Sequence, residues 1–141
     1  MSTGSFLHDW APRALAVLRI VTAYLFVQHG TAKFFGLPHQ GMSDGVQLFS
    51  LVGLAGMLEV VGGLLLLIGL FTRLTAFVLC GFMAVAYFMA HASQGHVLVP
   101  MLNQGELAVL FCFVFLYFVF SGPGAWSLDA MIARSKGGHL S

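Results

Sequence analysis

Four long apolar stretches alternate with short polar ones along the chain. They run at 13–34 (RALAVLRIVTAYLFVQHGTAKF), 52–70 (VGLAGMLEVVGGLLLLIGL), 74–92 (LTAFVLCGFMAVAYFMAHA) and 103–121 (NQGELAVLFCFVFLYFVFS). Each is about 19–22 residues, close to the ~20 an α-helix needs to cross a ~30 Å hydrocarbon layer. No stretch alternates apolar and polar residues as a barrel strand would, so helices are the spanning structure left. The pattern predicts an all-α polytopic membrane protein: one membrane domain over 1–141, folded as an antiparallel bundle of four transmembrane helices. The punctuation fits. Pro12 stands where a first-turn proline is harmless, 36–47 (GLPHQGMSDGVQ) is polar and turn-rich, and GLFTRLT is the shortest connection, with Thr72 as its expected helix cap. SQGHVLVP separates the third and fourth spans, and SGPG ends the fourth.

Composition sharpens this picture. Hydrophobic residues make up 59% of the chain and charged residues 8%, against roughly 25% charged in a soluble domain. Too few charges exist to cover a water-facing surface, so the lipid bilayer is the first partner. A net charge of +1 offers no basic patch to nucleic acid. The first span is long, contains Arg19 and lacks a small-residue cleavage site after it, so it is expected to remain as an anchor. Arg13, Arg73, Arg134 and Lys136 fall on one side of the predicted topology and Lys33 on the other. By the positive-inside rule both termini face the cytoplasm of a bacterial inner membrane.

Polar residues then acquire a depth. His29, Lys33, Glu59, His91, Asn103 and Glu106 all fall in the outer third of this topology, from four helices. His29 and Lys33 are spaced i, i+4 and share a face, as would Asn103 and Glu106 at i, i+3. Glu59 shares its stripe with Gly56 and Gly63, and glycine stripes mark where membrane helices approach closely. The acid should therefore face a neighbouring helix, in a cluster with His29, Lys33 and Glu106. A ligand-binding or proton-handling role is expected, because ionisable residues inside a membrane are rare unless used. The competing reading is structural pairing for the acids, snorkelling for Lys33 and plain solvation for His91 and His96. Arg19, near the inner face, reads as structural, reaching lipid phosphates or a contact such as Asp129.

Other chemistries fit less well. Cys80 and Cys112 lie in separate spans at similar depth and read as small core residues. A di-metal carboxylate bundle needs Glu-x-x-His on two helices, but Gly62 and Val109 follow the two acids at that spacing. His29 and His91 lie too near the outer edge to clamp a haem. Neither haem nor a metal is expected.

The segments LRIVTAYLFVQHGTAKFFG, GLAGMLEVVGGLLLLIGLFTRL and NQGELAVLF…SGPGAWSLD resemble the signature segments of the DoxX-like family of small bacterial membrane proteins. The matching positions include Arg19, His29, Gly30, Lys33, Glu59, Gly63, Gly69, Arg73, Glu106 and Asp129. The resemblance implies a four-helix inner-membrane protein tied to quinone, thiol and oxidative-stress systems, with relatives that include a subunit of a thiosulfate:quinone oxidoreductase. It makes a quinone a candidate ligand and a soluble or membrane redox protein, or a second copy of the chain, a candidate partner. It also implies that Arg19, Arg73 and Asp129 are polar residues of structural weight. Family folds do not fix one chemistry. A proton-coupled transporter of small lipophilic compounds and a non-catalytic scaffold or cargo receptor remain alternatives to an oxidoreductase subunit.

Overall fold

The computed structural model describes residues 3–38 and 47–138; residues 39–46 of the predicted polar segment lie outside the described residues. Every regular element is helical among the described residues: α1 (Thr3–Phe35), α2 (Leu51–Ile68), α3 (Thr72–Ala86), α4 (Glu106–Ser121) and α5 (Leu128–Gly137). The π-helical turn Tyr87–His91 and the 3₁₀ turn Ala92–Gln94 prolong α3. Three of these helical stretches, Thr3–Phe35, Leu51–Ile68 and Thr72–Gln94, are long and apolar enough to cross a membrane, and α4 is a shorter apolar helix. Large side chains such as Tyr24, Val61, Phe77 and Phe113 are more than half exposed. In water that would be a defect; on helices whose solvent is lipid it is what apolar surface is for. The chain is an all-α polytopic membrane protein.

It divides into two compact units, Met1–Thr72 with Pro123–Ser141, and Arg73–Gly122. The first unit is built on α1 and α2. A Cβ added at Gly63 would lie 2.5 Å from Val27 Cγ2, and one added at Gly56 would lie 2.8 Å from the Phe34 ring. Successive contacts thus rise along α1 as they fall along α2, so the two helices pair antiparallel. Gly30 meets backbone as well as side chain: a Cβ there would sit 2.6 Å from Val60 Cγ2 and 2.8 Å from the Gly56 carbonyl oxygen. Only glycine permits that approach, and the gain is van der Waals contact, the main force between helices in lipid.

The ends of α2 explain its length. Ser50 is the N-cap, its hydroxyl accepting from Gly53 N–H at 3.0 Å. Gly69, at φ 70°, takes the left-handed conformation that closes a Schellman motif, with Gly69 N–H on Leu66 O and Leu70 N–H on Leu65 O. The following turn ends in α3, and there two expectations need correction. Thr72 is the first residue of α3 rather than its cap; Asp129 caps the turn instead, accepting from Phe71 N–H and Thr72 N–H at 2.8 Å each. Pro12 lies inside α1, because that helix begins ten residues earlier than the apolar run, at Thr3. The lost proline N–H costs an intrahelical bond, yet residues 3–14 are exposed, where water or lipid headgroups can satisfy the backbone. Helix α5 was also not predicted: its ten residues are too polar and short to register as a span, although Ser127 caps it on Ala130 N–H at 3.1 Å.

In the second unit α4 starts at Glu106, three residues later than predicted. Asn103 is therefore a buried loop residue, not a helical one on the Glu106 face. Its amide explains why. The Asn103 carbonyl oxygen Oδ1 accepts from Gly105 N–H at 3.0 Å, while Nδ2 donates to Tyr87 Oη, Gly95 O and His96 O at 3.1–3.3 Å. A side chain that satisfies so much backbone holds a turn in place more strongly than it would continue a helix. Tyr87, Ala92 and Ala108 pack together beneath this loop. At the other end of the unit, Arg73 donates to Val119 O and Phe120 O at 2.8 and 2.6 Å, placing a cation on the last carbonyls of α4.

Candidate functional site

In the first unit, the close approach at Gly30 brings Lys33 onto Glu59. Lys33 Nζ donates to both carboxylate oxygens, at 2.7 Å to Oε1 and 2.6 Å to Oε2. The lysine side chain is 20% exposed and the glutamate 6%, so the acid is covered where α1 packs on it while Lys33 keeps one side open. Geometry follows from spacing. Gly30, Lys33 and Phe34 form one face of α1, and Gly56, Glu59, Val60 and Gly63 form the facing stripe of α2. A lone charge near the bilayer centre costs ~2.5–3.5 kcal/mol on insertion scales, and charges this close in a poorly polar medium compensate one another. His29, one turn before Lys33, is half-buried, engages Leu25 O through Nδ1 at 2.9 Å and lies within electrostatic range of Glu59.

The other end of the same helix pair carries a different arrangement. Arg19 is fully buried on α1 and donates to three backbone carbonyls of the 123–126 turn: Pro123, Ala125 at 3.2 Å and Trp126 at 2.8 Å. The same turn returns Ala125 N–H to Pro12 O at 2.9 Å, and Asp129 N–H reaches Gly69 O at 2.9 Å. Arg19 thus binds the segment after the last span to the start of the first. Asp129 does not take the guanidinium as its hydrogen-bond partner; it turns to the start of α3 and lies within electrostatic range of Arg19. Partial burial pushes the Asp129 carboxyl up, but the N–H groups of Thr72 and Phe71 and the Arg19 charge outweigh it and hold it below the usual carboxylate range.

The remaining expected residues belong to the second unit. His91 closes the π-helical turn, contacts Asn103 O through Nδ1 at 3.1 Å and stacks on Tyr87 with ring centroids 6.4 Å apart. Glu106, expected in the acid cluster, is exposed on the first turn of α4, where a negative charge suits the helix N-terminus. His96 is exposed, with φ 55°. Among the described residues no group of three or more His, Cys, Asp or Glu could hold a metal ion. The sequence reading missed Tyr87, whose hydroxyl donates to Val97 O at 2.7 Å. It missed too that Arg19 would be satisfied by carbonyls. No side-chain pattern announces a carbonyl acceptor.

Residues 14–92 match the family model of DoxX. The chain belongs to the DoxX family. The matched segment holds Arg19, Lys33 and Glu59, the charged residues at both ends of the α1–α2 pair, and ends at Ala92, where the 3₁₀ turn that prolongs α3 begins. Relatives cover most of their length. A Haemophilus influenzae protein of uncharacterised function is 49% identical over 125 residues, 87% of this chain and 93% of its own. The Escherichia coli "Inner membrane protein YqjF" is 29% identical, covering 84% of this chain and 91% of its own. The Bacillus subtilis "Putative oxidoreductase CatD" is 26% identical, covering 85% and 87%. No solved structure matches the chain.

Proposed function

We propose that this DoxX chain is an inner-membrane component of a redox-linked system, and that the Lys33–Glu59 pair is the polar centre of a site for a small lipophilic ligand of the quinone type. One observation carries the reading: a lysine and a glutamate meet in bidentate contact inside apolar helices, where neither is needed to close the helix pair that glycines already close. The donor set fits such a ligand. An ammonium has three N–H donors and Glu59 takes at most two, which leaves Lys33, on its open side, a donor for a ring carbonyl. Glu59 is the acid that exchanges a proton as the charge on the ligand changes, and the imidazole of His29 is the adjoining relay toward the outer surface. With both termini cytoplasmic, as the lysine and arginine distribution requires, the site opens toward the periplasmic half of the bilayer. The name of the Bacillus relative agrees with a redox role, and that of the Escherichia coli relative with the inner membrane.

Glu59→Gln tests the reading in cells. Glutamine keeps size and hydrogen-bonding reach but carries neither charge nor acid proton. At matched membrane abundance, the variant chain should fail to protect cells lacking the native chain from a quinone challenge that the native chain relieves. Full protection by normally inserted Glu59→Gln would remove the proposal.

A further inference from the structure

The chain has two cysteines, and the fold brings them together. Cys80 on α3 and Cys112 on α4 lie with their Sγ atoms 3.7 Å apart, both half-buried. A disulfide needs ~2.05 Å between sulfurs. The two sulfurs must therefore approach by ~1.7 Å for the bond to form. Neither thiol takes part in the Lys33–Glu59 chemistry, and this inference does not rest on it.

The surroundings select the oxidant. Between Leu74 and Ala86 on α3, and between Leu107 and Ser121 on α4, the sequence carries no charged side chain. Water-borne oxidants and reductants are excluded from such a span, and no cation stands there to hold a thiolate against them. What reaches half-buried sulfurs from the lipid side must be oil-soluble. It must also take two electrons with two protons, because free charge is not tolerated there. A quinone meets both conditions.

We propose that Cys80 and Cys112 are a two-electron redox couple within the membrane, oxidised to an intramolecular disulfide by a lipid-soluble quinone. Both S–H bonds break and one S–S bond forms; the two electrons and two protons pass to the two quinone oxygens, giving one hydroquinone per chain. A lipid-soluble dithiol reverses the change: its two S–H groups become a disulfide and both cysteine S–H groups return.

The test uses the full chain in lipid nanodiscs without oxygen, with decylubiquinone, whose fully substituted ring disfavours thiol addition. Thiols are counted with a polymer-linked maleimide after denaturation, and hydroquinone by absorbance. The expected result is loss of both thiols together, one hydroquinone per chain, an intact mass lower by two hydrogens, no covalent dimer on a non-reducing gel, and full recovery with dithiothreitol once the chain is denatured. Cys80→Ala and Cys112→Ala should each keep their remaining thiol and form no hydroquinone. Persistence of both thiols in the native chain, loss of the single thiol in either variant at the native rate, or oxidation mainly to dimers would overturn the proposal.

Discussion

Lys33 and Arg19 are both cations on α1, 14 residues apart and hence ~21 Å along the helix, yet they take partners of opposite kinds. The two terminal nitrogens of Arg19 donate to backbone carbonyls of the 123–126 turn. Carbonyls cannot be protonated in the working range, and a guanidinium does not lose its proton, so this end has one state and fastens the chain's last segment to its first. Lys33 instead meets a carboxylate. Its partner is a side chain of the facing helix, so the contact rests on two movable groups instead of one. One end of the helix pair is a fastening; the other is built from groups that can change.

Breaking the fastening should have the largest effect. Arg19→Met keeps the reach of the side chain but leaves three partly buried carbonyls without their donor, and such a group costs up to ~1–3 kcal/mol where water cannot reach it. The expected outcome is loss of most folded protein in the membrane, read by gel-filtration yield in mild detergent. Recovery of native yield and melting temperature would mean that the turn is held by other contacts.

Next in size is the wall between the two ends. Gly30→Ala inserts a Cβ at 2.6 Å from Val60 and 2.8 Å from the Gly56 carbonyl, and overpacking of this kind costs ~1–3 kcal/mol. The separation of α1 and α2 should grow and the Lys33–Glu59 contact lengthen, so the variant should lose both thermal stability and protection against quinone. A variant that melts like the native chain would show that α2 can move aside at no cost.

The smallest effect belongs to Asp129, which caps the start of α3 and is worth ~1 kcal/mol by analogy with other caps. Its carboxyl is held below the usual range in the fold, so the unfolded chain binds this proton more readily. Its contribution is therefore complete above the unfolded value of ~3.9 and is lost as pH falls through the lower folded value. Asp129→Asn should melt lower than the native chain at neutral pH, and the difference should shrink toward zero in acid. A gap that stays constant down to the acid limit would rule out this cap as the titrating group.

Much of this was readable from the chain, for identifiable reasons. The spans follow from hydropathy, and the Lys33–Glu59 contact was legible because a glycine stripe told which face of α2 is buried and an i, i+4 pair told which face of α1 carries charge. The Asn103 turn was not, because an amide that satisfies four groups of its own loop looks in sequence like any polar residue before an apolar run. Helix α5 and the Arg19 fastening share one cause of illegibility. Their partners are main-chain groups distant in sequence, those of Gly69, Phe71 and Thr72 for α5 and those of the 123–126 turn for Arg19, which leave no mark in residue identity. The proximity of Cys80 and Cys112 was readable in depth but not in facing, since neither α3 nor α4 has a glycine stripe to orient it.

The double variant Lys33→Met with Glu59→Gln separates a Lys33–Glu59 pair that serves a ligand from one that serves the fold. Removing one partner strands a buried charge, at ~3–5 kcal/mol, whereas removing both strands none and is often neutral. The measurement is the affinity for decylubiquinone in nanodiscs, on chains whose two cysteines are replaced by alanine so that no thiol chemistry contributes. The expected double variant melts within a few degrees of its parent, above Lys33→Met alone, and binds the quinone at least ~10-fold more weakly, a loss of about 1.4 kcal/mol. A stable double variant that binds with the parent's affinity would mean that the pair serves the fold alone.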